Sequence, residues 1–418
     1  MKLKYYIFLF IILLSPFIFK RFLFKNYFFG KIYSFFSYDK PNINICNSVQ
    51  SDLDYYLKNK KKDNISITMI DRNGSIVVDH KGTTFRIPAS NLKLITTAFS
   101  LSRLGSNYTI KTSLYKDSNN IFHLMGGGDP DLSSEDLRKI TDKISNEVKL
   151  LNLSNVIIYI YDMPMEKWWP STWSKYDKSK IYGAPLTKLA IQSNSTYDGL
   201  YNPINKIKNI IRTNLDNYNI RPIILFSSNN SDYFLKKFFT YKKLFEIKSS
   251  KLSSLISLAN SESHNFTSEI LLRHAANSWD YENINKQLYT WIRLNRLNDK
   301  SIKIYDASGL SRNNRATTQL FANLLYKINT KYYKDIYFSS MSLYGVRGTL
   351  ADRPYSKKLT FNFLGKTGTL NKVRSITGQV NINKNPYYIS IIANDIENDD
   401  LTVNKILNIL ASGKMCDS

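Results

Sequence analysis

The segment RIPASNLKLITTA at residues 86–98 carries a serine and a lysine, Ser90 and Lys93, at the start of a predicted helix. Residues three apart on a helix lie on one face, about one turn apart, so their side chains can meet. A lysine among apolar neighbours is desolvated, and its lowered pKa lets the amine accept a proton from a nearby serine. The spacing therefore predicts a nucleophile, Ser90, and its general base, Lys93. Backbone N–H groups at the helix start would stabilise an oxyanion there.

A serine three residues before a lysine is weak evidence by itself. The chain contains a second such pair, Ser113 and Lys116, in an alternating segment that is typical of a β-strand. Side chains three apart on a strand point to opposite faces, so this second pair is not expected to cooperate. For Ser90 and Lys93 taken alone, a serine at a helix start and a lysine that extends to solvent remains an alternative.

A second motif, SESHN at residues 261–265, lies at a predicted break between two helices. Its Ser263 supplies a hydroxyl that can relay a proton to a leaving amine. The amide of Asn265 can hold a peptide carbonyl. Because the chain is rich in asparagine, a pair of helix-capping residues is the alternative explanation of this motif.

A third motif, GKTGTL at residues 365–370, lies on a predicted core strand. Lys366 with the hydroxyls of Thr367 and Thr369 would bind a carboxylate if the strand faces a cleft. Gly368 would let a ligand approach the backbone closely. The alternative is a lysine on the exposed face of a strand.

The three motifs occur in order, each on the type of element that its chemistry requires. This combination is found in class A β-lactamases and penicillin-binding proteins. The chain resembles the serine-type D-Ala-D-Ala carboxypeptidase/endopeptidase family of low-molecular-mass penicillin-binding proteins, peptidase family S thirteen. The resemblance extends over nearly the whole chain after the N-terminal segment, and His264 stands where the family often has aspartate. It rests on PASNLKLITTA, GGGDPDL, YGAPLTKLAI, SESHNFTSEILLR, YDASGLSRNNRATT, GVRGTLADR and GKTGTL.

The resemblance implies an α+β fold, with a penicillin-binding-protein transpeptidase/β-lactamase-like domain in which helices flank an antiparallel sheet, and with a smaller inserted lobe. It also implies a serine D,D-peptidase that acts on peptidoglycan muropeptides, and β-lactam antibiotics as covalent inhibitors. The balance between carboxypeptidase and endopeptidase activity stays open. No cofactor and no metal are implied.

The family's mechanism assigns a role to the first two motifs. By resemblance, Ser90 attacks the carbonyl of the penultimate D-alanine, and Lys93 takes its proton. Ser263 passes a proton to the departing D-alanine or cross-link amine, and Asn265 orients the acyl peptide. Water then hydrolyses the acyl-enzyme.

The third motif completes the site that the resemblance implies. Lys366 supports the electrostatics of the proton relay, and Thr367 with Thr369 binds the terminal carboxylate of the substrate. Gly368 leaves room for substrate at the strand. The backbone N–H groups of Ser90 and Thr369 form the oxyanion hole.

Hydrophobic periodicity predicts one catalytic domain interrupted by an insertion. We predict a transpeptidase-like domain over residues 40–107 and 200–418, an inserted lobe over 108–199, and a signal peptide or membrane anchor over 1–25. The predicted elements are a hairpin at 65–80, a strand at 155–161, helices at 133–150, 203–218, 284–296 and 400–411, and a C-terminal sheet containing LTFNFLGKTG, RSITGQVNI and YYISIIAND.

The N-terminus predicts export. Two lysines, Lys2 and Lys4, precede an apolar run at residues 5–19, which is shorter than the ~20 residues of a membrane span and fits a secretory segment. No small-residue cleavage site follows, which favours a segment that stays attached and contacts the membrane as an anchor, and the sequence leaves open whether it is instead cleaved as a signal peptide.

The 418-residue chain has a net charge of +25 and 43% hydrophobic residues, which indicates a folded, basic protein. Its lysines are scattered, so we expect no nucleic acid partner and an anionic wall or membrane surface instead. The two cysteines, Cys46 and Cys416, lack metal-ligand spacing, and the sequence leaves open whether they pair.

The sequence disfavours three alternatives to the peptidase. A class A β-lactamase is disfavoured because the chain has no E-x-x-x-N motif, so slow release of a penicilloyl group is expected. A Ser-His-Asp hydrolase is disfavoured because no G-x-S-x-G motif accompanies the four histidines, and His264 and His274 are expected to be structural. A catalytically inactive wall-binding scaffold is the non-enzyme alternative, which the presence of every expected catalytic side chain argues against.

Overall fold

The structure of the protein is a computed structural model that describes residues 38–58, 62–196, 199–228, 240–396 and 400–416. The segment predicted as signal peptide or anchor, residues 1–25, lies outside these ranges. Within them, no helix is both long and apolar enough to cross a membrane.

The strands form two large sheets and two small strand pairs. In chain order they are β1 (Ile65–Ile70), β2 (Ile76–His80), β3 (Lys111–Lys116), β4 (Phe122–Met125), β5 (Asn155–Tyr161), β6 (Ser195–Thr196), β7 (Gly199–Leu200), β8 (Arg221–Ser227), β9 (Lys242–Lys248), β10 (Ile302–Lys303), β11 (Arg315–Ala316), β12 (Ser342–Leu343), β13 (Phe363–Leu370), β14 (Val373–Ile382) and β15 (Asn385–Asn394).

The helices alternate with these strands. The α-helices are α1 (Asn47–Leu57), α2 (Lys93–Leu104), α3 (Ser134–Leu150), α4 (Lys175–Lys178), α5 (Pro203–Asp216), α6 (Leu252–Asn260), α7 (Asn265–Ala275), α8 (Tyr281–Leu294), α9 (Thr318–Ile328), α10 (Lys334–Ser339) and α11 (Asp400–Ser412). Short 3₁₀ segments are Lys62–Asn64, Ala89–Leu92, Met165–Lys167, Ile181–Gly183, Ile191–Asn194, Asp299–Ser301 and Gly348–Leu350.

The main sheet joins parts of the chain that lie far apart in sequence. Its order is β12-β13-β14-β15-β1-β2, and all neighbouring strands are antiparallel. Strand β1 pairs with β15 from Ile65–Ala393 to Ile70–Tyr388. The predicted N-terminal hairpin and C-terminal sheet are therefore confirmed, and they form one sheet.

Helices cover both faces of the main sheet, because side chains alternate between the faces along each strand. Ile67 and Met69 of β1 pack with α1 and α11 in one apolar cluster. On the opposite face, Tyr388 and Ile392 of β15 pack with α2, α7 and α9 in a second cluster. The sheet is thus the middle layer of an α+β domain. Helix α2 belongs to the second cluster and packs on the face of the sheet opposite α1 and α11.

The second sheet forms the inserted lobe. Its order is β8-β5-β4-β3-β9, and α3 and α5 cover one face of it. Strands β4, β5 and β8 are parallel neighbours, since a helix connects each to the next. The lobe therefore continues to Lys248, past the boundary predicted at residue 199. The prediction placed 200–248 in the catalytic domain because an apolar strand does not reveal in sequence which sheet it joins.

A disulfide links Cys46 to Cys416, with the two Cα atoms 5.4 Å apart. Cys46 immediately precedes α1, and Cys416 follows α11. The bond therefore connects the two helices that cover one face of the main sheet, and it closes a question that the sequence left open.

Replacement of both cysteines by serine is expected to lower the free energy of unfolding by about 2–4 kcal/mol, because the bond restricts the unfolded chain. The measurement is the urea midpoint of wild type and of the C46S/C416S variant. The structure around α2 should not change, because α2 packs on the other face of the sheet. An unchanged midpoint in the variant would show that the bond contributes nothing to stability.

Candidate active site

Ser90 lies in the 3₁₀ turn Ala89–Leu92, and α2 begins only at Lys93. The preceding Ala89 has a left-handed φ of +46°. Gly309 passes directly over this turn, because a Cβ atom at that position would lie 1.9 Å from the carbonyl oxygen of Ala89. The predicted helix start is thus a tight turn that presents Ser90 at the edge of a cleft.

The Lys93 side chain is fully buried, with an exposed fraction of 0%. Its Nζ lies 2.9 Å from Oγ of Ser90. It also lies 2.7 Å from Oδ1 of Asn265 and 2.7 Å from the carbonyl oxygen of Ser308. The alternative of a lysine extending to solvent is therefore wrong, and three acceptors surround the amine.

Burial lowers the pKa of the Lys93 ammonium to about 7. The nearby carboxylates of Asp306 and Glu269 act in the opposite direction. A lysine with this pKa is partly neutral near pH 7, and a neutral amine within hydrogen-bond distance of a serine hydroxyl can accept its proton.

Ser263 and Asn265 lie between α6 and α7, at the predicted helix break. Ser263 lines the cleft and has a left-handed φ of +61°. Asn265 is the first residue of α7, and its Nδ2 donates to the carbonyl of Tyr182 at 2.9 Å. Since Oδ1 of the same amide accepts from Lys93, Asn265 connects the base to the rim of the cleft.

Strand β13 runs beside the Ser90 turn. A Cβ atom on Gly368 would lie 2.9 Å from the backbone nitrogen of Ser90 and 2.2 Å from Oγ of Ser375. Glycine is therefore required where the strand meets the turn. Thr369, the next residue, is exposed and lines the cleft.

Lys366 is buried, with an exposed fraction of 0%, so the alternative of an exposed strand lysine is wrong. Its Nζ donates to the carbonyl of Thr367 at 2.8 Å. Burial, followed by the charge of Lys93, holds the pKa of Lys366 well below its ordinary value. The hydroxyl of Thr367 donates to Oγ1 of Thr349 at 2.7 Å, behind the cleft wall.

The cleft has a volume of about 740 Å³. The catalytic domain contributes the three motifs, and the stretch between β5 and β6 contributes one rim. Its lining residues are Ser90, Ser174, Tyr176, Asp177, Tyr182, Ser263, Asn265, Gly309, Leu310, Arg312, Thr369, Leu370 and Asn371. Residues of all three motifs therefore meet at one cleft.

The second serine–lysine pair lies on a strand of the lobe, as predicted. Ser113 and Lys116 both belong to β3. Oγ of Ser113 donates to Glu246 at 3.3 Å, and Nζ of Lys116 donates to Glu147 at 3.0 Å. Each side chain has its own acidic partner, which confirms that this pair does not cooperate.

Two histidines expected to be structural have structural contacts. Nδ1 of His264 lies 2.7 Å from Oγ1 of Thr267, and burial lowers the pKa of His264 to about 4. His274 bridges Tyr108 and the carbonyl of Gly127. Within the described residues, no group of three or more histidine, cysteine, aspartate or glutamate side chains is arranged to hold a metal ion.

Sequence reasoning missed several residues behind the site. Ser308 contacts Lys93 through its backbone carbonyl, which leaves no side-chain signature. Glu269 and Asp306 are fully buried and contact Ser308. Thr349 accepts a hydrogen bond from the hydroxyl of Thr367. Glu269 lies in SESHNFTSEILLR and Asp306 in YDASGLSRNNRATT, segments that carried the resemblance but suggested no role for these residues.

A buried lysine beside a cleft-lining serine, on an α+β transpeptidase-like fold, is an arrangement found in serine hydrolases. The chain belongs to the D-Ala-D-Ala carboxypeptidase 3 (S13) family, whose model matches residues 49–216 and 237–411. The family and the architecture that the sequence motifs predicted are thereby confirmed.

Individual relatives agree with this assignment. A D-alanyl-D-alanine carboxypeptidase of an Actinomadura species is 28% identical over 127 residues, which cover 27% of this chain and 22% of that protein. Penicillin binding protein 4 of Haemophilus influenzae has a similar structure, with a TM-score of 0.67 and 18% identity over 86% of this chain and 97% of that chain. A predatory peptidoglycan endopeptidase of Bdellovibrio bacteriovorus gives a TM-score of 0.51 and 17% identity over 84% and 94% of the two chains.

Proposed function

We propose that the protein is a serine D,D-peptidase of peptidoglycan. It removes the terminal D-alanine of stem peptides, cleaves D,D-cross-links, or does both, through an acyl-enzyme on Ser90. The observation that carries this proposal is the 2.9 Å contact between Oγ of Ser90 and Nζ of Lys93, a buried lysine whose pKa is lowered to about 7.

Acylation begins when the neutral amine of Lys93 takes the hydroxyl proton of Ser90. The Oγ lone pair then attacks the carbonyl carbon of the penultimate D-alanine, and the carbonyl electrons move to its oxygen. The backbone N–H groups of Ser90 and Thr369 stabilise that oxyanion. Both residues line the cleft, which supports this assignment.

Collapse of the tetrahedral intermediate breaks the peptide bond and requires a proton on the leaving nitrogen. Ser263 passes this proton, since it lines the same cleft. Lys366, close enough to Lys93 that the charge of Lys93 lowers the pKa of Lys366, supports the relay. Asn265 orients the acyl peptide. Water then attacks the ester and regenerates Ser90.

The terminal carboxylate of the substrate is assigned to Thr369 and Thr367. Thr369 is exposed in the cleft, which supports a direct contact. Thr367 is turned toward Thr349, so its hydroxyl must change partner to reach a ligand. Thr369 is therefore the principal hydroxyl for the carboxylate in this proposal.

The names of similar proteins support the substrate class. They include a D-alanyl-D-alanine carboxypeptidase, a peptidoglycan endopeptidase, and penicillin binding protein 4 in complex with a β-lactam. We therefore assign peptidoglycan muropeptides as substrates and β-lactam antibiotics as covalent inhibitors. No cofactor takes part in this mechanism.

The proposed location is the periplasm or the outer face of the cytoplasmic membrane. The basic and apolar N-terminal segment supports export and membrane contact. The Cys46–Cys416 disulfide supports an oxidising compartment.

The purified protein is expected to release D-alanine from a synthetic peptide that ends in D-Ala-D-Ala, and not from the matched peptide that ends in L-Ala-D-Ala. The attack by Ser90 is expected to be stereospecific. The N–H groups of Ser90 and Thr369 must hold the oxyanion while the Thr369 hydroxyl holds the carboxylate, and only one configuration of the acyl residue satisfies both contacts. Release of D-alanine is measured with D-amino acid oxidase, and preincubation with penicillin should prevent it.

A chromogenic cephalosporin distinguishes the peptidase from a β-lactamase. One equivalent of product per enzyme, followed by slow turnover, is expected of the peptidase. Rapid multiple turnover would instead assign the site to a β-lactamase. Absence of both D-alanine release and acylation would favour the wall-binding scaffold.

A further inference from the structure

The loop between β10 and β11 supplies one of the three acceptors around Lys93, the carbonyl of Ser308. A neutral amine has two N–H groups and one lone pair. If Asn265 and Ser308 accept both N–H groups, the lone pair faces Oγ of Ser90. Removal of either acceptor leaves the amine free to turn, so the position of the Ser308 carbonyl matters for proton transfer.

A buried carboxylate holds this loop. Oε1 of Glu269, on α7, accepts from the backbone N–H of Ala307 at 2.8 Å and of Ser308 at 3.0 Å. The loop is also held by α2, because Oγ1 of Thr96 donates to the carbonyl of Ala307 at 2.9 Å. The exposed fraction of Glu269 is 0%, so water does not compete for these hydrogen bonds.

The second carboxylate oxygen of Glu269, Oε2, contacts side chains and not the loop backbone. Oε2 accepts from Nη1 of Arg273 at 3.0 Å and from the hydroxyl of Tyr281. Arg273 is buried and paired with Glu269, so the two formal charges compensate. One oxygen therefore satisfies a buried cation, and the other fixes two backbone N–H groups of the loop.

We propose that Glu269 is a positioning residue for acylation: its Oε1 fixes the Ala307–Ser308 backbone so that the Ser308 carbonyl aims the amine of Lys93 at Ser90. This inference rests on the proposed function, since it concerns the same acylation step. Glu269 touches neither Ser90 nor Lys93 in the contacts described, and it acts through the loop.

A purely structural ion pair is the competing explanation of Glu269. The charged and titratable groups around it are Arg273 and Tyr281, with Asp306 and Lys93 on the far side of the loop. A test must therefore remove the ion pair in every variant and change only the acceptor that faces Ala307 and Ser308.

Two double variants meet this requirement. In E269Q/R273M the carboxamide oxygen still accepts from the loop, and its nitrogen can donate to the hydroxyl of Tyr281. In E269M/R273M a side chain of similar length offers no acceptor. Both variants lack the buried charges. They differ in the acceptor that holds the loop and in the polar partner of the Tyr281 hydroxyl.

The readouts are the second-order rate of acylation by a fluorescent penicillin, its pH profile from pH 5 to 9, and kcat with KM for release of D-alanine. E269M/R273M is expected to acylate about 30-fold more slowly than E269Q/R273M, in the range that misplaced catalytic groups cost. The same loss should appear in kcat/KM for release of D-alanine, which reports acylation whichever step limits kcat.

Equal acylation rates in the two double variants would overturn the proposal. If wild type itself is not acylated, the proposed function fails instead, so the two failures are distinguishable. If E269M/R273M does not fold, E269L/R273M, whose residue 269 also offers no acceptor, takes its place in the same comparison with E269Q/R273M. Equal acylation rates in that pair would overturn the proposal.

Discussion

Replacement of Ser90 by alanine is expected to abolish covalent labelling by fluorescent penicillin and to lower D-alanine release by at least about 10⁴-fold. The loss follows from removal of the only atom that forms the acyl ester in the proposed mechanism. The fold should survive, because Lys93 keeps two acceptors, Asn265 and Ser308. Labelling is measured by gel fluorescence, and folding by the urea midpoint.

The matched control is Ser113→Ala, which removes the serine of the second serine–lysine pair. Ser113 lies on β3 of the lobe and contacts Glu246. Full labelling of this variant is expected. Persistent labelling of Ser90→Ala would show that a different residue, with Ser263 the nearest candidate in the cleft, is the nucleophile.

Replacement of Lys93 by methionine is expected to slow acylation by about 10³-fold, within the range that a general base contributes. Methionine has a similar length and fits the buried site, but it cannot accept the hydroxyl proton of Ser90. Because binding of substrate involves the cleft and not the buried amine, the effect should lie in the acylation rate constant. Stopped-flow acylation by a chromogenic cephalosporin measures it.

The pH dependence of wild type tests the same assignment. The pKa of Lys93 is lowered to about 7, so the reactive neutral amine becomes populated as the pH rises through that value. Acylation should therefore rise between pH 5 and 7 and level off above pH 8. In Lys93→Met this rise should disappear.

The control for the lysine is Lys116→Met, which breaks an ion pair with Glu147 in the lobe and leaves the cleft intact. Its acylation rate and pH profile should equal those of wild type. If Lys93→Met retained the rise near pH 7, another group would be the base. Lys366 would then be the next residue to replace, because its pKa is also lowered by burial.

The parts of the site that local sequence specifies were predictable. Three-residue spacing at the helix start brings Ser90 to Lys93. Gly368 was expected to make room for a ligand, whereas the structure places the backbone of the Ser90 turn and the Ser375 side chain there. Groups contributed by the backbone were not predictable. The Ser308 carbonyl reaches Lys93 only because the chain folds back over the Ser90 turn, and no residue type encodes that contact.

The boundary of the lobe was harder to predict for a related reason. Strand β8 joins the lobe through parallel pairing with β5, and β9 joins it through antiparallel pairing with β3. Their sequences read as strands, but partner choice depends on the crossover helix α5 and on packing against it. The same applies to Cys46 and Cys416, whose distance depends on how α1 and α11 pack.

The pairing of β1 with β15 has a consequence for the order of folding. Residues 65–70 can form their hydrogen bonds with β15 only after residues 388–393 have been synthesised. The pairing closes a loop that contains most of the chain, and closure of a long loop is slow. The Ser90 turn contacts β13 and β14 of this sheet. In the proposed mechanism, reaction with penicillin requires that contact, so its time course in refolding experiments would measure the rate at which the two distant halves of the domain assemble.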